Sequence, residues 1–115
     1  MRYLLMIYEE PGVAPSTEAE YGEMMTSYFA YSKWLQETGR YLGGEALQPI
    51  ANATTVQVQG DRRVVTDGPY AETKEHIGGY YLIEAADLDD AIDAAARIPG
   101  AKTGKVEIRP IQELG

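Results

Sequence analysis

The 115-residue sequence predicts an α+β fold, a ferredoxin-like split β-α-β unit with an inserted β-hairpin. Two segments, residues 17–38 and 87–98, carry apolar residues at helical spacing. Short apolar or alternating runs precede, separate and follow them, and Gly60-Asp61 marks a tight turn between two of these runs. The resulting order, β-α-β-hairpin-β-α-β, fills one domain that spans residues 1–115.

The first strand and the first helix have the clearest signals. Arg2 to Glu9 is almost continuously apolar, which is typical of a central strand. Thr17 and Glu20 form a capping-box pattern, so a helix should begin after Thr17 and end near Gly39. Apolar and aromatic residues recur in it at helical spacing, which makes the helix amphipathic: Tyr21, Met24, Met25, Tyr28, Tyr31 and Leu35.

The middle of the chain predicts strands. Tyr41 to Leu47 is a short one, and Gly43-Gly44 inside it indicates a bulge or a close approach of two backbones. Thr54 to Gln59 and Arg62 to Thr66 flank the Gly60-Asp61 turn and should form the inserted hairpin.

Three elements complete the prediction. Gly79 to Glu84 is a strand that follows a polar loop, and Lys105 to Arg109 is the last strand. Between them, Asp87 should cap a second helix that ends at Pro99-Gly100. The residues expected on the inner side of these last two elements are Leu88, Ala91, Ile92, Ala95 and Ile98 of the helix and Val106 and Ile108 of the strand.

The two predicted helices leave one face of the sheet uncovered. Two helices pack on a single face of such a sheet, and a sheet that buries both faces needs another layer. The first strand is too apolar for its second face to meet water. We therefore expect a homodimer formed face to face through two sheets, with more than ~1,000 Å² buried in total.

Composition excludes several classes of site and partner. The chain has no cysteine, so it has no disulfide, thiolate chemistry or cysteine-bound metal. Its net charge of −8 and scattered basic residues disfavour nucleic acid, which needs clustered Lys and Arg. The apolar run from Tyr3 to Tyr8 is too short to span a membrane and lacks a cleavage site. We expect a cytoplasmic protein that binds neither nucleic acid nor membranes and carries no cofactor.

Four segments resemble one known family: TDGPYAETKE at residues 66–75, GGYY at 78–81, GEAL at 44–47 and VEIRP at 106–110. The chain is similar in these segments to the YCII-related, DGPF-motif family of the dimeric α/β-barrel superfamily. The resemblance implies a dimer and a possible link to extracytoplasmic-function sigma factors, beside which family members are often encoded. It does not transfer the enzymatic His–Asp pair of better-known relatives, because His76, the only histidine, does not match that position. Tyr70 replaces the usual Phe, and Gln57 stands where relatives often have Arg.

The loop after the hairpin is the candidate binding site. Its residues are Asp67, Gly68, Pro69, Tyr70, Glu72, Lys74 and Glu75. One interpretation is structural, with Asp67 bonding amides of its own turn and Pro69 fixing the backbone. The other makes the loop the rim of a pocket, where Lys74 would bind an anionic or carbonyl group. On this basis Asp67→Ala should lower the melting temperature by several degrees, and Lys74→Ala should reduce ligand binding instead.

Other polar residues give weaker signals. His76 without a second His or Cys indicates an exposed or capping histidine, and no metal site is predicted. Gly78-Gly79 indicates a bulge or a close approach by a ligand or partner. The tyrosines should lie in the core or the interface, and the serines lack a histidine partner for catalysis.

Three functional classes remain open. A small-molecule-binding or regulatory module ranks first, and an enzyme using acid–base residues of the 67–75 loop on a small substrate is the alternative. A purely structural interaction domain is the third. The residues name neither a ligand nor a catalytic group.

Overall fold

The computed structural model describes residues 1–10, 14–70 and 74–114. They form the predicted α+β fold. In chain order the elements are β1 (Arg2–Glu9), α1 (Glu18–Glu37), β2 (Tyr41–Ala46), β3 (Thr54–Gln59), β4 (Arg62–Asp67), β5 (His76–Glu84), α2 (Leu88–Ala96) and β6 (Lys105–Pro110), with short 3₁₀ turns at Ile50–Asn52 and Pro99–Ala101.

The strands make two antiparallel sheets. Four of them lie in the order β2-β5-β1-β6, and β3 and β4 form a separate two-stranded hairpin. The larger sheet has the strand order of a ferredoxin-like unit, with the hairpin inserted between β2 and β5. As predicted, the apolar strand β1 is central and pairs on both sides.

Both helices pack on one face of the larger sheet. Along β1, Tyr3, Leu5 and Ile7 are buried while the residues between them are only partly covered. The buried set also takes in residues of β5 and both helices: Tyr31, Leu35, Tyr81, Ile83, Ala85, Ala91, Ala94, Ala95 and Ile98. Because buried and half-buried residues alternate along the strands, a single core lies between this face and the helices.

The other face carries no helix among the described residues. Leu4 pairs with Leu82 and Met6 with Tyr80 across β1 and β5, and all four side chains are half-buried. We call these four residues the open face. The smallest extent of the chain is 19 Å, and its radius of gyration is 16.1 Å, compared with about 13 Å for a typical compact domain of this length.

Strand β5 begins earlier than the sequence indicates. It starts at His76 rather than Gly79, because His76 pairs with Glu9 and Ile77 with Tyr8. The assignment of His76 to the polar loop is therefore wrong. The pairing of β5 with β1 skips Gly78, which confirms the bulge predicted there. The pairing of β2 with β5 shifts in register between Tyr41 and Gly43, which confirms the bulge predicted in β2.

The helix starts follow the predicted caps with one change of partner. The Thr17 hydroxyl accepts a hydrogen bond from the Glu20 amide at 3.1 Å, and the Asp87 carboxylate accepts one from the Asp90 amide at 2.9 Å. The Glu20 carboxylate, however, accepts from the amide of Ser16 at 3.0 Å rather than from Thr17. The contacts to Thr17 and Asp87 each satisfy an amide in the first turn of a helix, where no partner within the helix is available.

The inner side of α2 differs from the expectation. Leu88 and Ile92 are about half exposed, so their assignment to the core is wrong. The buried stripe is Ala91, Ala94, Ala95 and Ile98, at i, i+3, i+4 and i+7. Ile92 lies beside this stripe and Leu88 is the first residue of the helix.

A guanidinium pair stacks on Trp34 where α1 meets α2. The Cζ atoms of Arg40 and Arg97 lie 5.0 and 4.4 Å from the Trp34 ring centroid. Arg40 Nη2 also donates to Asp90 Oδ1 at 2.8 Å, and Asp90 Oδ2 accepts from the Ala86 amide at 3.0 Å. The hydrogen bond from Arg40, with help from that amide, holds the pKa of Asp90 below its usual 3.8.

This pair should make stability depend on pH in acid. Because the pKa of Asp90 is lower in the folded chain, its contribution is present above pH 3.8 and is lost as the pH falls through the folded value. Asp90→Asn should therefore destabilise the protein near neutral pH by about 1–3 kcal/mol, and the difference from wild type should shrink below pH 3.8. Urea unfolding across this range measures it. Asp93→Asn is the control, because Asp93 is exposed and 3.9 Å from Arg97. A difference that stays constant through acid pH would contradict this assignment.

No helix in the described ranges is both long and apolar enough to cross a membrane.

Candidate functional site

Backbone contacts hold the turn after the hairpin. Gly68 has a φ of 100° and donates its amide to the Ala53 carbonyl at 2.7 Å, while the Thr55 hydroxyl donates to the Gly68 carbonyl at 2.8 Å. The Asp67 carboxylate accepts no hydrogen bond from the described residues. Residues 71–73 of the same loop lie outside the described residues, so the expectation that Asp67 binds amides of its own loop stays a prediction. The predicted loss of melting temperature in Asp67→Ala likewise stays a prediction.

The other loop residues do not converge on a pocket. Tyr70 is 92% exposed, and Pro69 and Lys74 are exposed as well. Lys74 has no ion pair within the described part of the chain. Glu72 lies outside the described residues, so the prediction for it stays open.

Glu75, the residue before β5, contacts β6, which lies on the far side of β1 in the sheet. Its carboxylate accepts a hydrogen bond from Lys105 Nζ at 2.8 Å. This contact lowers the pKa of Glu75 and raises that of Lys105. Glu75 therefore ties the start of β5 to β6, a structural contact that sequence spacing did not reveal.

A second group of polar side chains lies between α1 and the sheet. The Ser32 and Tyr81 hydroxyls are 2.9 Å apart, and the Tyr28 hydroxyl accepts the Gly100 amide at 3.1 Å. The Glu9 carboxyl group lies over Gly78, where a Cβ atom would collide with it. We call Glu9, Tyr28, Ser32 and Tyr81 the hydroxyl cluster.

Both phenols are protonated at neutral pH, and burial raises the pKa of each further above its usual 10.0. It is the main cause that raises the pKa of Tyr28, opposed by the Gly100 amide and helped by the nearby Tyr81 and Glu9. Burial likewise raises the pKa of Tyr81, against the hydrogen bond with Ser32. Both side chains can therefore donate hydrogen bonds.

Two hydroxyl hydrogens of the hydroxyl cluster have no acceptor among the described residues. A hydroxyl supplies one hydrogen, so the Ser32–Tyr81 contact uses one of two. Tyr28 only accepts from Gly100, and its own hydrogen has no acceptor among the described residues. Two hydrogens thus remain available beside an exposed carboxylate, Glu9, which is the kind of sparse polar lining that positions a small ligand.

Glycine makes room for this arrangement. A Cβ atom on Gly44 would lie 2.7 Å from Tyr81 Cδ1 and 2.8 Å from the Tyr80 carbonyl oxygen. The predicted close approach in β2 is therefore confirmed at Gly44. Gly43 has nothing within 4 Å of the same position.

The sequence did not reveal the hydroxyl cluster because its members are far apart in the chain. Tyr81 follows Ser32 by 49 residues, and their contact depends on the sheet register. One local signal was present. Tyr28 and Ser32 are four residues apart on a helix, so both hydroxyls lie on the same side of α1.

A depression lies at the Arg40 end of the molecule. It has a volume of about 300 Å³ and is lined by Met1, Thr38, Gly39, Arg40, Glu84, Ala85, Ala86 and Asp90. The two charged side chains Arg40 and Asp90 in this lining already form an ion pair with each other. This leaves the hydroxyl cluster as the better candidate site.

An antiparallel β2-β5-β1-β6 sheet with both helices on one face is the ferredoxin-like arrangement. The family model described as YCII-related domain matches residues 1–114, and the chain belongs to this family. An uncharacterized protein of Rhizobium meliloti (strain 1021) is 34% identical over 114 residues, covering 96% of this chain and 92% of that protein.

A solved structure supports the fold. It is the 5-chloro-2-hydroxyhydroquinone dehydrochlorinase TftG from Burkholderia phenoliruptrix AC1100, in complex with 2,5-dihydroxybenzoquinone. The TM-score is 0.51 at 14% identity, and the match covers 97% of this chain and 94% of that one. At this identity the likeness concerns the fold alone.

Proposed function

We propose that this protein is a homodimeric small-molecule-binding module whose ligand lies at the hydroxyl cluster. The observation that carries the proposal is the pair of hydroxyl hydrogens without a described acceptor, on Tyr28 and on the Ser32–Tyr81 pair. A fitting ligand would have an oxygen that accepts hydrogen bonds from these hydroxyls and a nearby group that donates a hydrogen bond to the Glu9 carboxylate. Phenols, hydroxy-ketones and hydroxy-acids have this combination.

The open face supports the homodimer. Its apolar pairs, Leu4–Leu82 and Met6–Tyr80, lie at the centre of a sheet that has helices only on its other side. A second copy placed face to face would cover both open faces with the same residues, as two-fold symmetry requires. The radius of gyration, larger than that of a typical compact domain, agrees with a chain that lacks one layer.

The enzymatic alternative has less support in the loop where the sequence suggested it. Asp67 and Lys74 are exposed and have no described partner that would orient them for proton transfer. TftG is a dehydrochlorinase, and its likeness carries no activity to this chain. A cytoplasmic location, and a regulatory link to an extracytoplasmic-function sigma factor that rests on the family resemblance, complete the proposal.

Ligand-observed NMR with a library of small phenols, hydroxy-ketones and hydroxy-acids tests the site. Compounds that bind wild type should bind the double variant Tyr28→Phe/Tyr81→Phe about tenfold or more weakly, because two hydrogen bonds of about 1 kcal/mol each are lost. Tyr21→Phe is the matched control, since Tyr21 is exposed on the same helix.

The outcome separates the alternatives. Equal binding by wild type and the double variant, with both shown to be folded by circular dichroism, would place the ligand elsewhere. Chemical conversion of a bound compound would favour the enzyme.

A further inference from the structure

The carboxyl group of Glu9 occupies space that a glycine leaves free. Glu9 is the last residue of β1 and pairs with His76 across the sheet. The register of this pairing shifts between Ile7 and Tyr8, so that Gly78 is an extra residue in β5. A Cβ atom on Gly78 would collide with all three atoms of the Glu9 carboxyl group. The bulge and the missing side chain therefore keep a place for this carboxylate beside the hydroxyls of the cluster.

Among the residues that the structure describes, no cation pairs with the Glu9 carboxylate. His76 lies opposite Glu9 but forms no ion pair with it, and Lys105, on the other neighbour of β1, pairs with Glu75. Burial is the largest cause that raises the pKa of Tyr28, and the charge of Glu9 adds to it. The negative charge of Glu9 therefore acts at the Tyr28 hydroxyl, where the proposed ligand accepts its hydrogen bond.

The hydroxyls and the carboxylate of this site favour different groups on a ligand. The free hydrogens on Tyr28 and on the Ser32–Tyr81 pair bind an acceptor, and a carboxylate would serve as well as a carbonyl. The charge of Glu9, however, repels a carboxylate and favours a hydrogen-bond donor. An uncharged compound that has a carbonyl and a donor side by side meets both conditions.

We propose that Glu9 is the specificity-determining residue of the site, and that it selects uncharged hydroxy-carbonyl compounds over the corresponding carboxylates. Gly78 is a positioning residue, because it leaves room for the Glu9 carboxylate. The inference rests on the proposed function and narrows its ligands, since ionised hydroxy-acids become the weakest of the three classes. The net charge of −8 on the chain acts in the same direction.

Two pairs of compounds of nearly equal size test this selection: lactamide with lactate, and mandelamide with mandelate. Ligand-observed NMR at neutral pH measures the affinity of each compound. Wild type should bind each amide about tenfold or more tightly than its carboxylate, a difference of about 1.4 kcal/mol. Glu9→Gln should remove most of this difference, because the carboxylates then bind more tightly. Glu10→Gln is the matched control, since it removes the same charge one residue further along the chain.

Gly78→Ala gives a second readout. The new Cβ atom would displace the Glu9 carboxyl group, which is the end of a flexible side chain, so the chain should fold and the preference for amides should fall. Gly43→Ala, whose Cβ atom meets nothing within 4 Å, should keep the preference. Circular dichroism shows that both variants are folded. A preference kept in Gly78→Ala would overturn the role of Gly78.

Three results would overturn the selection by Glu9: a preference that persists in Glu9→Gln, a wild type that binds lactate and mandelate as tightly as their amides, or amides that fail to bind while phenols bind. In each case, weaker binding of phenols by Tyr28→Phe/Tyr81→Phe would leave the proposed site standing. Phenol binding that is unchanged in that double variant would overturn the site and this inference together.

Discussion

Replacing Leu82 with Arg should convert the homodimer to monomers. Leu82 pairs with Leu4 at the centre of the open face, so the face-to-face dimer would bury the new charge without a partner. An unpaired buried charge costs several kcal/mol even after relaxation. Since each 1.4 kcal/mol is a factor of ten, the dissociation constant should rise more than about a hundredfold.

Leu88→Arg is the control for this change. Leu88 is about half exposed on α2, on the helical side of the molecule, so the variant should remain dimeric. Sedimentation velocity measures both masses, and far-ultraviolet circular dichroism shows that each variant is folded. A Leu82→Arg protein that keeps the wild-type association state would show that the open face is not the interface.

Gly44→Ala should lower the melting temperature by several degrees. The new Cβ atom would press on the Tyr81 ring and on the Tyr80 carbonyl oxygen, and the backbone oxygen has little freedom to move. Overpacking of this kind costs about 1–3 kcal/mol, and 1 kcal/mol corresponds to roughly 4–8 °C for a domain near this size. The displaced Tyr81 should also weaken ligand binding at the hydroxyl cluster.

Gly43→Ala is the matched control, because a Cβ atom there meets nothing within 4 Å. Differential scanning calorimetry of the two variants measures the contrast. Equal shifts for both would mean that strand β2 is sensitive to any side chain, and that the close approach at Gly44 is not the cause.

Local patterns predicted much of the fold. The bounds of β1 and the caps at Thr17 and Asp87 follow from hydrophobic runs and hydrogen bonds within a few residues. The bulge in β2 was equally readable, because two adjacent glycines interrupt a strand.

What the sequence did not predict depends on contacts between distant residues. His76 belongs to β5 because it pairs with Glu9, which lies 67 residues earlier in the chain. The Ser32–Tyr81 contact depends on the same register. The turn at Gly68 is held by a backbone hydrogen bond to Ala53, a distant partner that turn chemistry alone does not reveal.

The mass of the wild-type protein in solution tests the central claim most directly, because the open face needs a second copy to cover it. Light scattering at micromolar concentration should give twice the chain mass of 12.7 kDa. A mass equal to that of one chain would contradict the account.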